Sequence, residues 1–436
     1  MPFVQIGQSA KKRLWRQNVG TGPQPSLRGA ARARRKAHRG EPSHRPARQS
    51  EAARAGPSHR ADTILRVKTA VVSDLHLGAA GGRDVGRQPG ALERLADALE
   101  GAERIILLGD VLELRERPIA QLLDLVRPFF EQLGEALEGR RVVIVPGNHD
   151  HALVEPWLAR LRLAGAPLGP ENEWPVGRPG ADGPAGVIAS WMAKCEVTLA
   201  YPGLTPAPGV YATHGHYLDL FLTVPRLESI AASAMSRLTG RGVRCASADD
   251  FEAVLAPLYG FYAGLAQGAS PESLQRGATL SRSVWGRATG NGRLGRLLLG
   301  RMTIPAAVAA LNLLRIGPFS AELTGPELRR AGLLAMGRVA RVLAPEAEHV
   351  VLGHTHRPGP LAGDDRREWL SPSGARLWNS GSWYFEPAFV SSRAEQSPYW
   401  PGTVLWLEPG VPPRIENGLR GYAAAGSRTG AKAPSA

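Results

Sequence analysis

Five short polar clusters hold most of the side chains in this chain that could do acid, base or metal chemistry. They are Ser73-Asp74-Leu75-His76-Leu77-Gly78, Gly109-Asp110-Val111-Leu112-Glu113, Gly147-Asn148-His149-Asp150, His214-Gly215-His216 and Gly353-His354-Thr355-His356. Eight histidines lie beyond residue 62, and seven of them fall in or beside these clusters, a concentration that chance scatter does not produce. The set offers hard carboxylate and amide oxygens and borderline imidazole nitrogens, but no thiolate. In Asp74-x-His76 and His354-x-His356, residues two apart would project from one side of an extended segment. Glycines beside each cluster let the backbone turn sharply and approach its neighbours. So many donors exceed the needs of one ion but suit two that share a carboxylate. Two ions about 3.5–4 Å apart can clamp the attacking and leaving oxygens of an in-line displacement.

Each member taken alone has a plainer explanation. An isolated Asp74 or Asp110 reads as a strand-end turn or cap, and an isolated histidine as a satisfied structural group. His349, within an apolar run, fits that description. His151 and His216 read as supporting or helix-capping groups, with direct substrate contact as the alternative, and Glu113 reads as structural. The ordered set is what argues for chemistry.

These clusters need elements to position them. Short aliphatic runs at 64–73, 104–108 and 141–145 each end in a cluster, and helical periodicity fills 91–99 and 118–137 between them. That alternation indicates βαβ units, an α/β fold. Further strands are expected at 196–200, 210–213, 349–352, 375–379 and 403–407. They are interrupted by a helical stretch at 217–345, in which Leu227, Ile230, Ala234 and Leu238, then Leu328, Ala331, Ala335 and Val342, recur at helical spacing. The expected organisation is a basic tail at 1–62, a catalytic domain in two parts at 63–216 and 346–408, a helical insertion or lid at 217–345, and a second tail at 409–436.

Charge is distributed unevenly. The formal net charge is +14, but residues 1–68 carry 16 Lys and Arg against three acids, so the other 368 residues are nearly neutral at +1. The first 62 residues lack the apolar content to offset the entropy of ordering and read as disordered, either as a solvated extension or as an arm for nucleic acid or anionic lipid. A nearly neutral body argues against double-stranded nucleic acid as a substrate. Two cysteines, Cys195 and Cys245, make no disulfide framework. Neither an export signal nor a run of about 20 apolar residues is evident. A cytoplasmic protein is expected.

In this order the clusters resemble the calcineurin-like metallophosphoesterase family, whose pattern is Asp-x-His, Gly-Asp-x-x-Asp/Glu, Gly-Asn-His-Asp/Glu, His and Gly-His-x-His, across residues 69–383. The resemblance implies two packed β-sheets flanked by helices, a four-layer sandwich. It implies Asp74, His76, Asp110 and His356 around one metal and Asp110, Asn148, His214 and His354 around the other. His149, held by Asp150, would approach the leaving oxygen. Cluster detail and the Asn379-Ser380-Gly381-Ser382-Trp383 end are similar to UDP-2,3-diacylglucosamine pyrophosphohydrolases, which carry a helical insertion that clasps acyl chains. The chain departs from that branch in having His149 where arginine is common and in its much longer insertion.

Within the insertion, residues 273–321 carry seven arginines and no acid, interleaved with leucines. Arginine pairs bidentately with phosphate, so Arg293, Arg296 and Arg301, with His216, are candidate substrate contacts. Arginine stems covering the insertion's own core are the alternative. The expected function is metal-dependent hydrolysis of a phosphate ester or pyrophosphate by a metal-bridging hydroxide. The expected cofactors are two divalent ions among Mn, Fe, Zn and Co, with Mn favoured. The expected partners are a phosphate-containing small molecule or lipid-linked substrate and, peripherally, an anionic membrane. A nuclease of the same fold and a non-catalytic metal-dependent binding protein are the rival readings.

Overall fold

Runs of Val, Ile and Leu form the centre of the molecule because both of their faces are covered. In the computed structural model, which describes residues 67–177, 182–240, 245–268, 304–387, 389–390 and 396–422, β1 (Thr69–Val72), β2 (Arg104–Leu108), β3 (Arg141–Val145) and β5 (Glu196–Ala200) lie parallel. Their register sets Val71 beside Ile106, Ile106 beside Val143 and Val143 beside Thr198. β4 (Glu173–Pro175) closes one edge, and β10 (Thr403–Glu408) and β11 (Val411–Asn417) the other, all antiparallel to their neighbours, in the order β11-β10-β1-β2-β3-β5-β4. A second sheet has the order β6 (Gly203–Ala207), β7 (Val210–Thr213), β8 (His349–Leu352), β9 (Arg376–Asn379).

Period-two alternation distributes each strand between two cores. Ile106 and Leu108 of β2 join Val71, Val143, Leu204, Ala212 and Val351 in the core shared by the two sheets. Ile105 and Leu107 join the outer core with Leu95 of α1 (Ala91–Ala98), Phe130 and Leu133 of α2 (Ile119–Ala136) and Ile188 of α4 (Gly183–Trp191). Between α2 and α4 comes α3 (Glu155–Ala164). This is the expected α/β sandwich of two sheets flanked by helices.

The interruption contains α5 (Leu227–Leu238), α6 (Ala248–Gly268), α7 (Ile304–Leu313) and α8 (Gly325–Leu343). One boundary expected from sequence needs correction. β7 and β8 are parallel neighbours, so the chain must cross over between them, and α8 is the helix that does so. Ala331, Ala335, Met336, Val339 and Leu343 of α8 are buried in the same core as Val350 and Leu352. α8 is therefore a layer of the sandwich and not part of a lid. It starts at Thr324, whose hydroxyl accepts from the backbone N–H of Glu327 at 3.3 Å.

α6 is tied down by a buried carboxylate. Glu252 accepts from the hydroxyls of Tyr201 (2.5 Å) and Tyr217 (2.7 Å), and lies 3.0 Å from Nε2 of His151. The expected tail at 409–436 also needs correction, since β11 lies within it and pairs with β10 from Thr403 to Glu408. The basic tail at 1–62 and Arg293, Arg296 and Arg301 lie outside the described residues. No described helix is long and apolar enough to cross a membrane.

Candidate metal centre

Every polar cluster follows the C-terminal end of a strand: Asp74 and His76 after β1, Asp110 after β2, Asn148 and His149 after β3, His214 after β7, and His354 and His356 after β8. Open α/β sheets place ligands at such strand ends. Here the backbone turns abruptly to point the side chains inward. Of the six described non-glycine residues with positive φ, five are Asp74 (53°), His76 (45°), Asp110 (50°), His354 (62°) and His356 (60°). Such conformations persist only where surrounding structure imposes them, and they concentrate at functional sites. The neighbouring glycines admit close approach. A Cβ on Gly353 would stand 2.5 Å from Asp74 Oδ2, and one on Gly109 would run into the His214 ring.

These turns converge on one spot. Asp74 Oδ1 lies 3.3 Å from His356 Nε2, and Asp110 Oδ2 lies 3.1 Å from His214 Nε2. His76 Nε2 stands between the two carboxylates, 3.9 Å from Asp74 Oδ1, 3.8 Å from Asp110 Oδ2 and 3.2 Å from His356 Nε2. Three overlapping groups of metal-ligating atoms result: Asp74, His76 and His356; His76, Asp110 and His149; and Asp110, His214 and His354.

The donors fit divalent metal. Three histidines have their outer ring nitrogen tied to an acceptor, which leaves the inner one free to offer a lone pair. His76 Nδ1 meets Glu113 at 3.0 Å, His214 Nδ1 meets the Leu108 carbonyl at 3.0 Å, and His354 Nε2 meets Asp219 at 3.1 Å. The Asn148 carboxamide is equally telling. With its nitrogen turned inward it donates to Asp110 Oδ2 (3.3 Å) and His354 Nδ1 (3.2 Å), and its oxygen accepts from Arg115 (2.8 Å). With its oxygen inward it faces acceptors only, an arrangement that a cation among them would satisfy.

Electrostatics point the same way. Burial opposes charge on His76, but the hydrogen bond to Glu113 and the charges of Asp110, Glu113 and Asp74 outweigh it and raise its pKa to about 9. Burial likewise opposes charge on His214, and Asp110 and Asp74 raise it to about 10. Asp110 stays well below the usual carboxylate range against the same burial, held there chiefly by His214 and His149. Positive charge is thus favoured where the donors meet.

Two expected roles change. Asp150 does not hold His149. Its carboxylate is buried and accepts from the backbone N–H groups of Gly147 (2.6 Å), Val111 (2.7 Å) and Leu112 (3.2 Å), so it ties the β2 and β3 turns together. Burial, with the charge of Asp110, raises its pKa to about 6. Glu113 holds His149 instead, with both oxygens 2.9 Å from Nδ1. The substrate contact considered for His216 is also replaced. His216 is 1% exposed, with Nε2 3.2 Å from the Tyr201 hydroxyl. Sequence reasoning missed Asp219 and Arg115 altogether. Arg115 lies 3.2 Å from the Asn148 carbonyl and 3.5 Å from Glu228 on α5.

With this geometry in view, residues 67–236 match the calcineurin-like phosphoesterase family. That stretch carries the first four polar clusters. The match ends within α5, and the fold brings the remaining block, His354 and His356, to the same centre. The donors so assembled suit divalent ions, as the chemistry of a metal-dependent phosphoric ester hydrolase requires. A dimetal phosphatase from Danio rerio is similar at 12% identity, covering 80% of this chain and 98% of that one, with a TM-score of 0.30. A cold-active protein-tyrosine phosphatase of a psychrophilic Shewanella species is similar at 15% identity, covering 79% and 76%, with a TM-score of 0.25. No curated protein sequence matches the chain significantly.

Proposed function

We propose that the chain is a dinuclear phosphoesterase in which Asp74, His76, Asp110 and His356 hold one ion and Asp110, Asn148, His214 and His354 the other. The observation that carries this reading is the place of Asp110, whose Oδ2 lies 3.1 Å from His214 Nε2 and 3.8 Å from His76 Nε2, between the two half-sites. When bound, two divalent ions, with manganese preferred, would supply a nucleophilic water and polarise the phosphoryl oxygens. The chain's own residues do the rest. Glu113 fixes His149 through Nδ1, which leaves Nε2, 3.9 Å from Asp110 Oδ2, to deliver a proton to the departing oxygen. Arg115, beside Asn148, offers a guanidinium to the substrate phosphate.

The substrate of this reading is an amphiphilic phosphate ester, met in the cytoplasm or at an anionic membrane surface. Leu238, Phe261, Leu313 and Leu314, all in the interruption between β7 and α8, are each more than 60% exposed, and six of the seven arginines fall in sequence between α6 and α7. Remote apolar contacts raise the rate only for substrates that possess the matching tail.

The test is hydrolysis of a monoester, a diester and a pyrophosphate with Mn²⁺, each as a short soluble compound and as its acyl-bearing counterpart. Preference for the acyl-bearing member is expected. Replacing Arg293, Arg296 and Arg301 with Gln should reduce its turnover in a salt-sensitive way and spare the soluble member. Equal rates on both members, or equal losses, would remove the amphiphilic substrate and leave the phosphoesterase.

A further inference from the structure

Glu252, Tyr259 and Tyr262 lie seven and three residues apart and so share one stripe of α6. The two ends of the stripe have partners around the metal centre. Glu252 binds His151, Tyr201 and Tyr217, and the Tyr262 ring lies 4.7 Å from the Arg115 guanidinium.

Between them, Tyr259 is 4% exposed, its ring 5.1 Å from that of His151 and 5.5 Å from that of His216. Its hydroxyl has no hydrogen-bond partner among the described residues. Three other buried tyrosines all have one: Tyr201 and Tyr217 donate to Glu252 and Tyr211 to the Pro170 carbonyl. A buried hydroxyl left unpaired is destabilising, so one retained beside a reaction centre calls for a ligand. The charges that reach it are those of Asp219 and Asp110 at the centre and of Glu252 on its own helix, with Arg115 opposing.

We propose that Tyr259 is a further catalytic residue, a lid-borne donor whose hydroxyl hydrogen-bonds a phosphoryl oxygen of the substrate held beside Arg115 and the metal donors. This rests on the phosphoesterase reading and extends it, because the insertion then contributes a group to the reacting phosphoryl and its docking is coupled to turnover. Burial first, and then the nearby carboxylates, hold the phenol well above its usual pKa, so it stays a donor. A donor on α6 suits a site in which most inward groups accept. The competing explanation is a buried water bridging Tyr259 to Nδ1 of His216, which also lacks a partner among the described residues.

The experiment compares the full-length, metal-loaded wild type with Tyr259→Phe. It measures nitrophenyl phosphodiester turnover, inorganic phosphate binding by calorimetry, and thermal midpoint. Removing one such donor should lower kcat about 10²-fold and weaken phosphate about tenfold. The midpoint should stay level or rise, because Phe removes an unpaired polar atom and keeps the ring. Turnover and phosphate affinity indistinguishable from wild type would overturn the proposal. So would a lower midpoint, the result expected when the hydroxyl had a structural water. A wild type without metal-dependent hydrolysis would fail the phosphoesterase reading itself, and phosphate binding would still judge Tyr259.

Discussion

Glu113 grips His149 with both carboxylate oxygens 2.9 Å from Nδ1, and the same carboxylate lies 3.0 Å from Nδ1 of His76. One buried acid therefore orients a proposed metal ligand and the proposed proton donor together. Glu113→Gln keeps the shape but gives up the charge and one acceptor. Metal affinity and kcat should both fall, by about 10- to 100-fold for loss of such an orienting partner. Metal titration and steady-state kinetics on the purified variant check this. Loss of kcat with unchanged metal affinity would confine Glu113 to His149.

His149→Ala should keep its metals, because neither proposed ligand set includes this side chain. Turnover should fall mainly for substrates with poor leaving groups, since general acid help is typically worth about 10²- to 10⁴-fold and matters least when the departing oxygen is already acidic. Comparing nitrophenyl with alkyl esters measures it. An equal loss on both would move His149 from the leaving oxygen to the phosphoryl group.

Glu252 gives a pH dependence of stability with a definite sign. Burial opposes its charge, but His151 and the tyrosine hydroxyls outweigh burial and hold the carboxyl below its usual value of 4.5. A carboxyl depressed in the folded state stabilises it above the unfolded pKa, and the contribution fades as pH falls through the folded pKa. Glu252→Gln should thus lower the thermal midpoint at pH 7, and the gap from wild type should narrow on acidification below pH 4.5. A gap independent of pH would mean that Glu252 acts through packing alone.

The central strands and the side chains that cluster at their ends were legible in the sequence for a physical reason. Strands buried on both faces, such as β2, read as unbroken aliphatic runs, and the donors follow directly at their ends. Three edge strands were not legible. Glu173–Pro175 and Gly203–Ala207 contain proline or glycine, and β11 has Pro412 and Pro413, residues that mark turns when read locally. The supporting shell was only half visible. Glu113 stands three residues after Asp110 and could be noticed, but which histidine it holds depends on how β1 and β3 lie beside β2. Asp219 and Tyr259 carry no local signal, because their meaning comes from where the turn after β7 and helix α6 are packed.

The most direct measurement is metal content set against activity. Purified protein, stripped with chelator and reloaded with Mn²⁺, should hold two ions per chain by elemental analysis. Hydrolysis of an aryl phosphodiester should be lost on stripping and regained on reloading. Asp110→Asn, which weakens the group shared by both half-sites, should hold fewer ions and lose more activity than any variant of an unshared ligand. A single ion per fully active chain, activity that survives stripping, or near-normal turnover with two ions in Asp110→Asn would contradict the dinuclear centre.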